Sequence, residues 1–521
     1  MANRTLFNSR PQALTDTVNQ AGGAAYALPP KAALAQLATT GCLNQVYYAS
    51  AQTQLNEVLE LCFKVEPAFV AQTAIYAREQ GGMKDMPALL TAWLASFGTE
   101  YFEQTFKRVI DNGRMLRNFV QIMRSGAVAR QSMGTRPKRL VRQWLQRASD
   151  ARLIGAMVGQ QPSLADVIKM VHPKAADERR SALYGYLIGR EVDAELLPQA
   201  IVDLQRFRAD SLQPVPAVPF ELLTAAELST DHWCAIAAQA SWTQTRMNLN
   251  TFARHGVFES TAMQLMVAKR LRDPIAIRRA RAMPYQLMAA WQATSGLPER
   301  IRDALRIAAE LAVANVPALR GTVAVAVDVS ASMGWPLTGY RRGASSAMRC
   351  VDVAGLMAAA ILNRHPGALV LPFNDRVRPW SRVRGGVLPT AAALAAQLGG
   401  GTRIAAPLEL LVRQGCAPDT LVVLSDNQSW IRCQSGSESE VARYWRQLQQ
   451  ANPQAKMVCV DLQPYSNTQI RSDARVLNVG GFSDEVFAVI ADFSADRYGG
   501  DHWVQRIEQI RLDQETVSAA Q

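Results

Sequence analysis

The sequence predicts an α-helical array over residues 31–319 followed by a doubly wound α/β domain over residues 320–521, with a short N-terminal segment, 1–30, before them. Three observations predict it. Apolar residues recur at spacings of three and four from about residue 31 to 315, with almost no alternating Val/Ile runs. At Leu319-Arg320-Gly321 the grammar changes, and short apolar runs begin to alternate with helical segments. At 521 residues the chain is also too long for one ordinary domain.

In the first part the helical segments are PKAALAQLATTG, QTQLNEVLELCFKV, EPAFVAQTAIYAREQ, MPALLTAWLASFG and EYFEQTFKRVIDNGRMLRNFVQIMRS. Turns rich in Gly, Pro and Asn separate them, as in EQGGMKDMP, GTRPKR, VHPK and LQPVPAVP. Segments this short, punctuated this regularly, suit stacked helix pairs. No strict sequence repeat occurs, so a bundle of ordinary helices is the alternative.

The second part reads TVAVAVDV, SSAMRCVDVAGLMAAAILNR, GALVLPFN, LPTAAALAAQLG, APLELLVRQG, TLVVLSDN, ESEVARYWRQLQQANP, KMVCVDL, then VLNVGG and DEVFAVIADF. Strands this apolar are covered on both faces, which means a mostly parallel sheet.

Composition bounds the rest. With 49% hydrophobic and 19% charged residues the chain is globular. Its seven cysteines are scattered without C-x-x-C spacing, which favours neither a zinc knuckle nor a disulfide framework and fits a reducing cytoplasm. No stretch has the length and apolarity of a membrane span, and the start MANRTLFNSRPQALTDTVNQ has no apolar leader region. The net charge is +12; residues 320–521 contribute about +2 and residues 1–319 about +10. A surplus so placed suggests that the helical part faces a polyanion.

Ligands of a doubly wound sheet sit beyond the carboxyl ends of its strands. At the end of the first strand stand Asp328, Ser330 and Ser332; GGGTRIA places Thr402 in a Gly-rich loop, and LVVLSDNQSW places Asp426 at another strand end. Alone, D-x-S-x-S could be a strand-end turn with capping hydroxyls. Three hydroxyls and two carboxylates, without Cys or His, suit a hard cation, Mg²⁺ or alternatively Mn²⁺. The set resembles the metal-ion-dependent adhesion site (MIDAS) of von Willebrand factor A domains over residues 320–495. That resemblance implies that Ser330 and Ser332 bind the metal directly, Thr402 directly or through water, and Asp328 and Asp426 mostly through water. Arg403 departs from the pattern, because relatives often carry an acidic residue there. It is expected to weaken the metal or to pair with Asp328 or Asp426. No base stands nearby for hydrolysis, His365 reads as a helix-terminal residue, and P-loop, GxSxG and HExxH motifs are absent, so no enzyme is expected.

Two basic clusters stand out. RQSMGTRPKRLVRQWLQR contains Arg136, Lys138, Arg139 and Arg142 at a helix start, and KRLRDPIAIRRARAMP contains Lys269, Arg270, Arg272, Arg278, Arg279 and Arg281. Any one of these Arg residues could simply lie on a solvated face; together they favour phosphate binding.

Helical segments such as LATTGCLNQVYYAS, EPAFVAQTAIYARE and IKMVHPK, followed by an A domain, resemble the TROVE module of the Ro autoantigen family and its bacterial orthologues. The resemblance implies a monomeric ring of HEAT-like repeats closed by the A domain. It implies Y-like noncoding RNA bound outside and single-stranded ends of misfolded or structured RNA captured in a central channel. Its role would be RNA quality control with an exoribonuclease or other processing enzyme as partner. It also carries over His172, with Lys169 and Lys174 beside it, as RNA-binding, although His172 could simply cap a helix before Pro173. The competing expectation is a protein–protein scaffold whose metal site binds acidic partner residues.

Overall fold

The computed structural model describes residues 14–513 apart from 42, 225–226, 281, 283, 314–315, 340–347, 430–437, 464, 483 and 498. Two compact units make up the chain, and neither is one continuous stretch. The first runs through Val65 and resumes from Val313 to Gln509; the second contains Glu66–Ala282 and Gln286–Ala312.

The first unit is built on a parallel sheet. In chain order its strands are β1 (Thr17–Val18), β2 (Ala24–Ala27), β3 (Val323–Asp328), β4 (Leu369–Phe373), β5 (Thr420–Ser425), β6 (Lys456–Asp461), β7 (Asn467–Thr468) and β8 (Val476–Gly480). Five of them pair in parallel in the order β4-β3-β5-β6-β8. All five coincide with apolar runs of the sequence; DEVFAVIADF is a helix, Asp484–Ser494. Every position of β3, β5, β6 and β8 is buried. This is why they read as continuous apolar runs and not as alternation. On one face Ala324, Ala326, Leu421, Val423 and Met457 pack with Leu408 and Leu411 of the Ala405–Arg413 helix and Trp445 and Leu448 of the Glu440–Ala451 helix. The alternate residues face the other side, where the Cys350–Arg364 helix lies on β3 and β5. Strand order reverses between β3 and β5, which opens a crevice at their carboxyl ends.

Residues before 66 belong to this unit through contacts that no local pattern shows. Strands β1 and β2 and the short β7 form an antiparallel sheet, with Tyr26 opposite Thr468. The helix Pro30–Thr40 packs on β8, and Lys31 pairs with Glu508 at 2.8 Å. The region around 31–65, expected in the helical array, therefore serves the sheet.

In the second unit, helices start on side-chain caps: Asn112, Ser149, Asp177, Ser260 and Asp273, with reciprocal boxes at Ser163/Asp166 and Ser241/Gln244. The helix Gly113–Ser125 buries Met115, Leu116, Phe119, Val120 and Met123, one stripe of its surface. Helix C-terminal ends, whose last carbonyls have no partner within the helix, are closed by side chains from a neighbouring pair. Trp144 Nε1 donates to Ile110 O at 2.8 Å and Arg117 Nη1 to Ala156 O at 2.7 Å, while Arg136 Nη1 donates at 2.9 Å to Thr99 O in the loop between two helices. Arg180 Nη2 donates to Ala148 O at 2.9 Å, Tyr184 Oη to Leu145 O at 3.0 Å, and Trp242 Nε1 to Leu271 O at 3.0 Å. These bonds span 29 to 39 residues. That is the length of a helix-pair repeat, so a period absent from residue identities is present in the hydrogen bonds.

Among the described residues no helix is long and apolar enough to cross a membrane. Cys62 and Cys459 are buried free thiols, and Cys234 and Cys416 are likewise outside any disulfide.

Candidate functional site

The crevice between β3 and β5 collects the five residues expected there. Register places Val327 opposite Leu424, so Asp328 and Ser425 are the next neighbours. Ser425 Oγ donates to Asp328 Oδ2 at 2.6 Å, and the Ser330 backbone N–H donates to Oδ1 at 2.8 Å. The Oγ atoms of Ser330 and Ser332 lie 3.3 Å apart. The Gly-rich loop is tied to this turn, since Gly399 N–H donates to Val329 O at 2.8 Å and Ala331 N–H to Gly400 O at 3.1 Å. A side chain at position 400 could not be accommodated: its Cβ would stand 2.5 Å from Asn374 Nδ2, and φ there is +87°. Ser429 Oγ donates to Thr402 O at 3.4 Å, which joins the loop after β5 to the other two. Asp328, Ser330, Ser332, Thr402 and Asp426 are all buried.

Burial pushes the Asp328 carboxyl up, and burial together with the Asp328 charge pushes Asp426 up. Two desolvated carboxylates disfavour each other's ionisation. Among the described residues Asp426 Oδ2 has no hydrogen-bond donor. An orphaned carboxylate oxygen beside a second carboxylate and converging hydroxyls fits a divalent hard cation, which would offset both costs.

Arg403 does not pair with either aspartate. Its Nε donates to Glu440 Oε2 at 3.0 Å, its Nη1 to Glu409 Oε2 at 2.5 Å, and its Nη2 to Glu440 Oε1. These bonds hold its pKa above the usual arginine value. Two glutamates therefore neutralise it and turn it away from the crevice, which corrects the expected pairing with Asp328 or Asp426. His365 caps its helix, and its Nε2 accepts from Leu319 N–H at 2.7 Å.

Several members of the site were missed in the sequence. Asp461, wholly buried at the end of β6, accepts from Asn427 Nδ2 at 3.1 Å and from Gln36 Nε2, and burial pushes it up to about 8. Its strand-end position in MVCVDL matches that of Asp328 in VAVDVS, and that signal could have found it. The N-terminal segment reaches the same edge: Asn19 Nδ2 donates to Ser429 O at 2.6 Å and Gln20 N–H to Gln428 Oε1 at 2.8 Å. Tyr48 is half-buried; burial, then the Asp426 charge, pushes its hydroxyl up to about 12.

The basic candidates divide by what their side chains do. Arg136 ties the loop at Thr99, as above, with its guanidinium 5.5 Å from the Phe102 ring centre. Arg270 donates to Ala237 O at 2.6 Å, Ala238 O at 2.7 Å and Thr245 Oγ1 at 3.0 Å. Both are structural links. Arg139 pairs with Glu103 at 2.8 Å yet stays 54% exposed. Arg142 Nε donates to Val171 O, and Gln146 Nε2 to Lys174 O at 3.0 Å, so the helix Thr135–Arg147 is held against the end of the helix Leu164–Val171. His172 is the C-cap there, left-handed at φ 49°, and is exposed with Lys169 and Lys174. The structure thus joins Arg139, Arg142, Lys169, His172 and Lys174 in one area, with Lys138 partly buried on the same helix. Lys269, Arg272, Arg278 and Arg279 are exposed elsewhere, the first two on an open groove of about 600 Å³ with Met266 and Pro274. Arg281 lies outside the described residues.

A von Willebrand A-type domain with a buried oxygen-lined crevice, joined to helical repeats, is the class that fold and site define. Residues 322–494 match the family model of the Ro60 vWA domain. The chain is 27% identical over 461 residues to the RNA-binding protein RO60 of Deinococcus radiodurans, covering 79% of this chain and 83% of that protein. The crystal structure of the Deinococcus radiodurans Ro (RSR) protein superposes with a TM-score of 0.63 at 21% identity, over 90% of this chain and all of that one. The resemblance to the Ro family, drawn from motifs, is thus shown in sequence and in fold.

Proposed function

We propose that this protein binds RNA through the exposed basic area around the end of the Leu164–Val171 helix, with a small Y-like noncoding RNA as its ligand. The observation that carries this reading is the convergence of Arg139, Arg142, Lys169, His172 and Lys174, all solvent-facing, on a chain part with most of the basic surplus. Folded RNA offers mainly phosphates and 2′-hydroxyls, so a basic surface of fixed shape selects by shape. The resemblance to a protein named for RNA binding supports it. It also motivates capture of single-stranded ends of misfolded RNA and delivery to a nuclease.

At the crevice, Ser330 and Ser332 would hold Mg²⁺ through their hydroxyls, with Thr402, Asp328 and Asp426 supporting it directly or through water. Bound there, the cation would supply an open position for a partner's carboxylate. Asp328 is kept in place by Ser425 and the Ser330 amide, and Arg403 is withheld from the carboxylates by Glu409 and Glu440.

The test is binding of a small structured RNA with a single-stranded 3′ tail across a salt series. Replacing Lys169 and Lys174 by Ala should make the log–log salt dependence shallower by about 1–2 without changing unfolding. Ser330→Ala should leave RNA binding intact and abolish the heat of Mg²⁺ binding. An unchanged salt slope, with protein purified free of nucleic acid, would favour a protein–protein scaffold instead.

A further inference from the structure

β4 is an edge strand, and the chain that leaves it turns back along it. Val377 bridges Phe373 in the antiparallel sense, and Arg378 N–H donates to Pro372 O at 2.7 Å. Asn374, at the turn, donates from Nδ2 to Gly399 O at 2.8 Å, and its carbonyl accepts from Arg403 N–H at 2.8 Å. Further on, Gln397 Nε2 donates to Pro379 O at 3.2 Å, and Arg382 Nη1 donates at 3.4 Å to Pro366 O, just ahead of β4. The segment is thus fastened along its length although from residue 378 to 386 it is neither helix nor strand. Its sequence, RVRPWSRVR over 376–384, sets Arg376, Arg378, Trp380, Arg382 and Arg384 at every second position.

We infer that residues 376–384 are a second RNA-binding site, in the sheet unit, which takes single-stranded RNA along the β4 edge with its phosphates on the guanidiniums and a base on Trp380. Arg376, Arg382 and Arg384 are exposed, and Arg378 and Trp380 partly so. Elsewhere in this unit arginines are neutralised: Arg349, Arg403, Arg443, Arg446, Arg471 and Arg475 each pair with a carboxylate. Among the described residues none of the four in this segment does. A part of the chain whose charges nearly balance therefore holds an unneutralised surplus on one edge, four arginines against Asp375 alone. Alternate residues of an extended chain stand about 7 Å apart, close to the step from one phosphate to the next in an extended strand. A guanidinium forks phosphate oxygens and stacks on bases, and an indole offers its face to any base. Folded RNA keeps its bases paired and stacked on one another, so the ligand this edge fits is a single strand. An acidic protein segment would use the charges and leave the ring between them without a role.

The site rests on the reading of the protein as RNA-binding, and its test separates the two. Full-length protein is titrated across a salt series with an oligouridylate of about 12 nucleotides that carries 4-thiouridine for photocrosslinking. The variant is Arg376→Gln with Arg384→Gln, because neither side chain makes a hydrogen bond or ion pair among the described residues and the unfolding midpoint should stay where it is. Loss of two phosphate contacts should make the log–log salt dependence shallower by about 1.4. Crosslinks to the wild type should map to residues 376–384. A structured RNA without a single-stranded tail should bind wild type and variant alike, whereas replacing Lys169 and Lys174 by Ala should weaken that RNA and spare the oligouridylate. An unchanged salt slope with crosslinks elsewhere overturns the site. So does an oligoglutamate peptide that binds as tightly as the oligouridylate and loses as much in the variant, since the edge would then serve acidic protein. If the structured RNA binds neither protein, the area around His172 fails as an RNA site, and the position of the oligouridylate crosslinks still decides this one.

Discussion

The sheet unit and the helical unit use polar side chains in opposite ways. In the sheet unit hydrogen bonds such as Ser425 to Asp328 and Gln36 to Asp461, 97 and 425 positions apart, converge on one crevice. In the helical unit they join residues 29 to 39 apart and recur along the chain, most of them closing a helix end. The first arrangement concentrates unsatisfied charge in a site; the second distributes satisfaction along a stack. A basic residue therefore means different things in the two: Arg403 is neutralised to protect a site, whereas Arg136 and Arg270 bind repeats together.

That contrast is broken most easily at Arg270. Arg270→Leu would strand Ala237 O, Ala238 O and Thr245 Oγ1, and should destabilise the protein by about 2–3 kcal/mol. Denaturant midpoints should fall while Mg²⁺ heat remains. Loss of the Mg²⁺ heat in that variant would show that the links are not local.

The sheet unit should respond to pH instead. Asp461 titrates near 8 in the fold, far above an unfolded aspartate, so the folded state holds the extra proton between the two values. Its contribution is therefore complete at acid pH and is lost as pH rises through about 8. In that window cation-free stability should fall by up to ~1.4 kcal/mol per pH unit for this group. Asp461→Asn should remove one proton's share of that slope in pH-dependent urea unfolding; an unaltered slope would place the proton elsewhere.

The smallest effect belongs to Arg139. Its pairing with Glu103 is exposed, so Arg139→Ala should change stability by no more than about 0.5 kcal/mol. In RNA titrations it should still reduce the salt slope by about 1. A stability loss comparable to that of Arg270→Leu would erase the distinction between surface charge and structural link.

The sequence showed the parallel sheet clearly because strands buried on both faces are uninterrupted apolar runs. The crevice residues were legible for a related reason: Asp328, Ser330 and Ser332 occupy alternate positions at a strand end, Thr402 follows a run of glycines, and Asp426 ends a comparable strand. Asp461 carried the same strand-end mark and was passed over, whereas Ser425 and Tyr48 carried none, since each matters through a partner in another part of the chain. Net charge could not tell Arg139 from Arg136, because counting a guanidinium says nothing about the carbonyl it closes. The N-terminal segment was opaque for the same reason, as β1 and β2 are too short to announce themselves and pair with β7.

Gln36 and Asp461, hydrogen-bonded in the finished molecule, lie 425 residues apart. A ribosome adding roughly 5–20 residues per second leaves the first helix without its strand for tens of seconds. Throughout that interval the helical repeats can fold as they emerge, each on its neighbour, while the Pro30–Thr40 helix keeps an apolar face with nothing to cover it. The crevice thus forms only once β6 has emerged, and a nascent chain cannot present it to a partner before then.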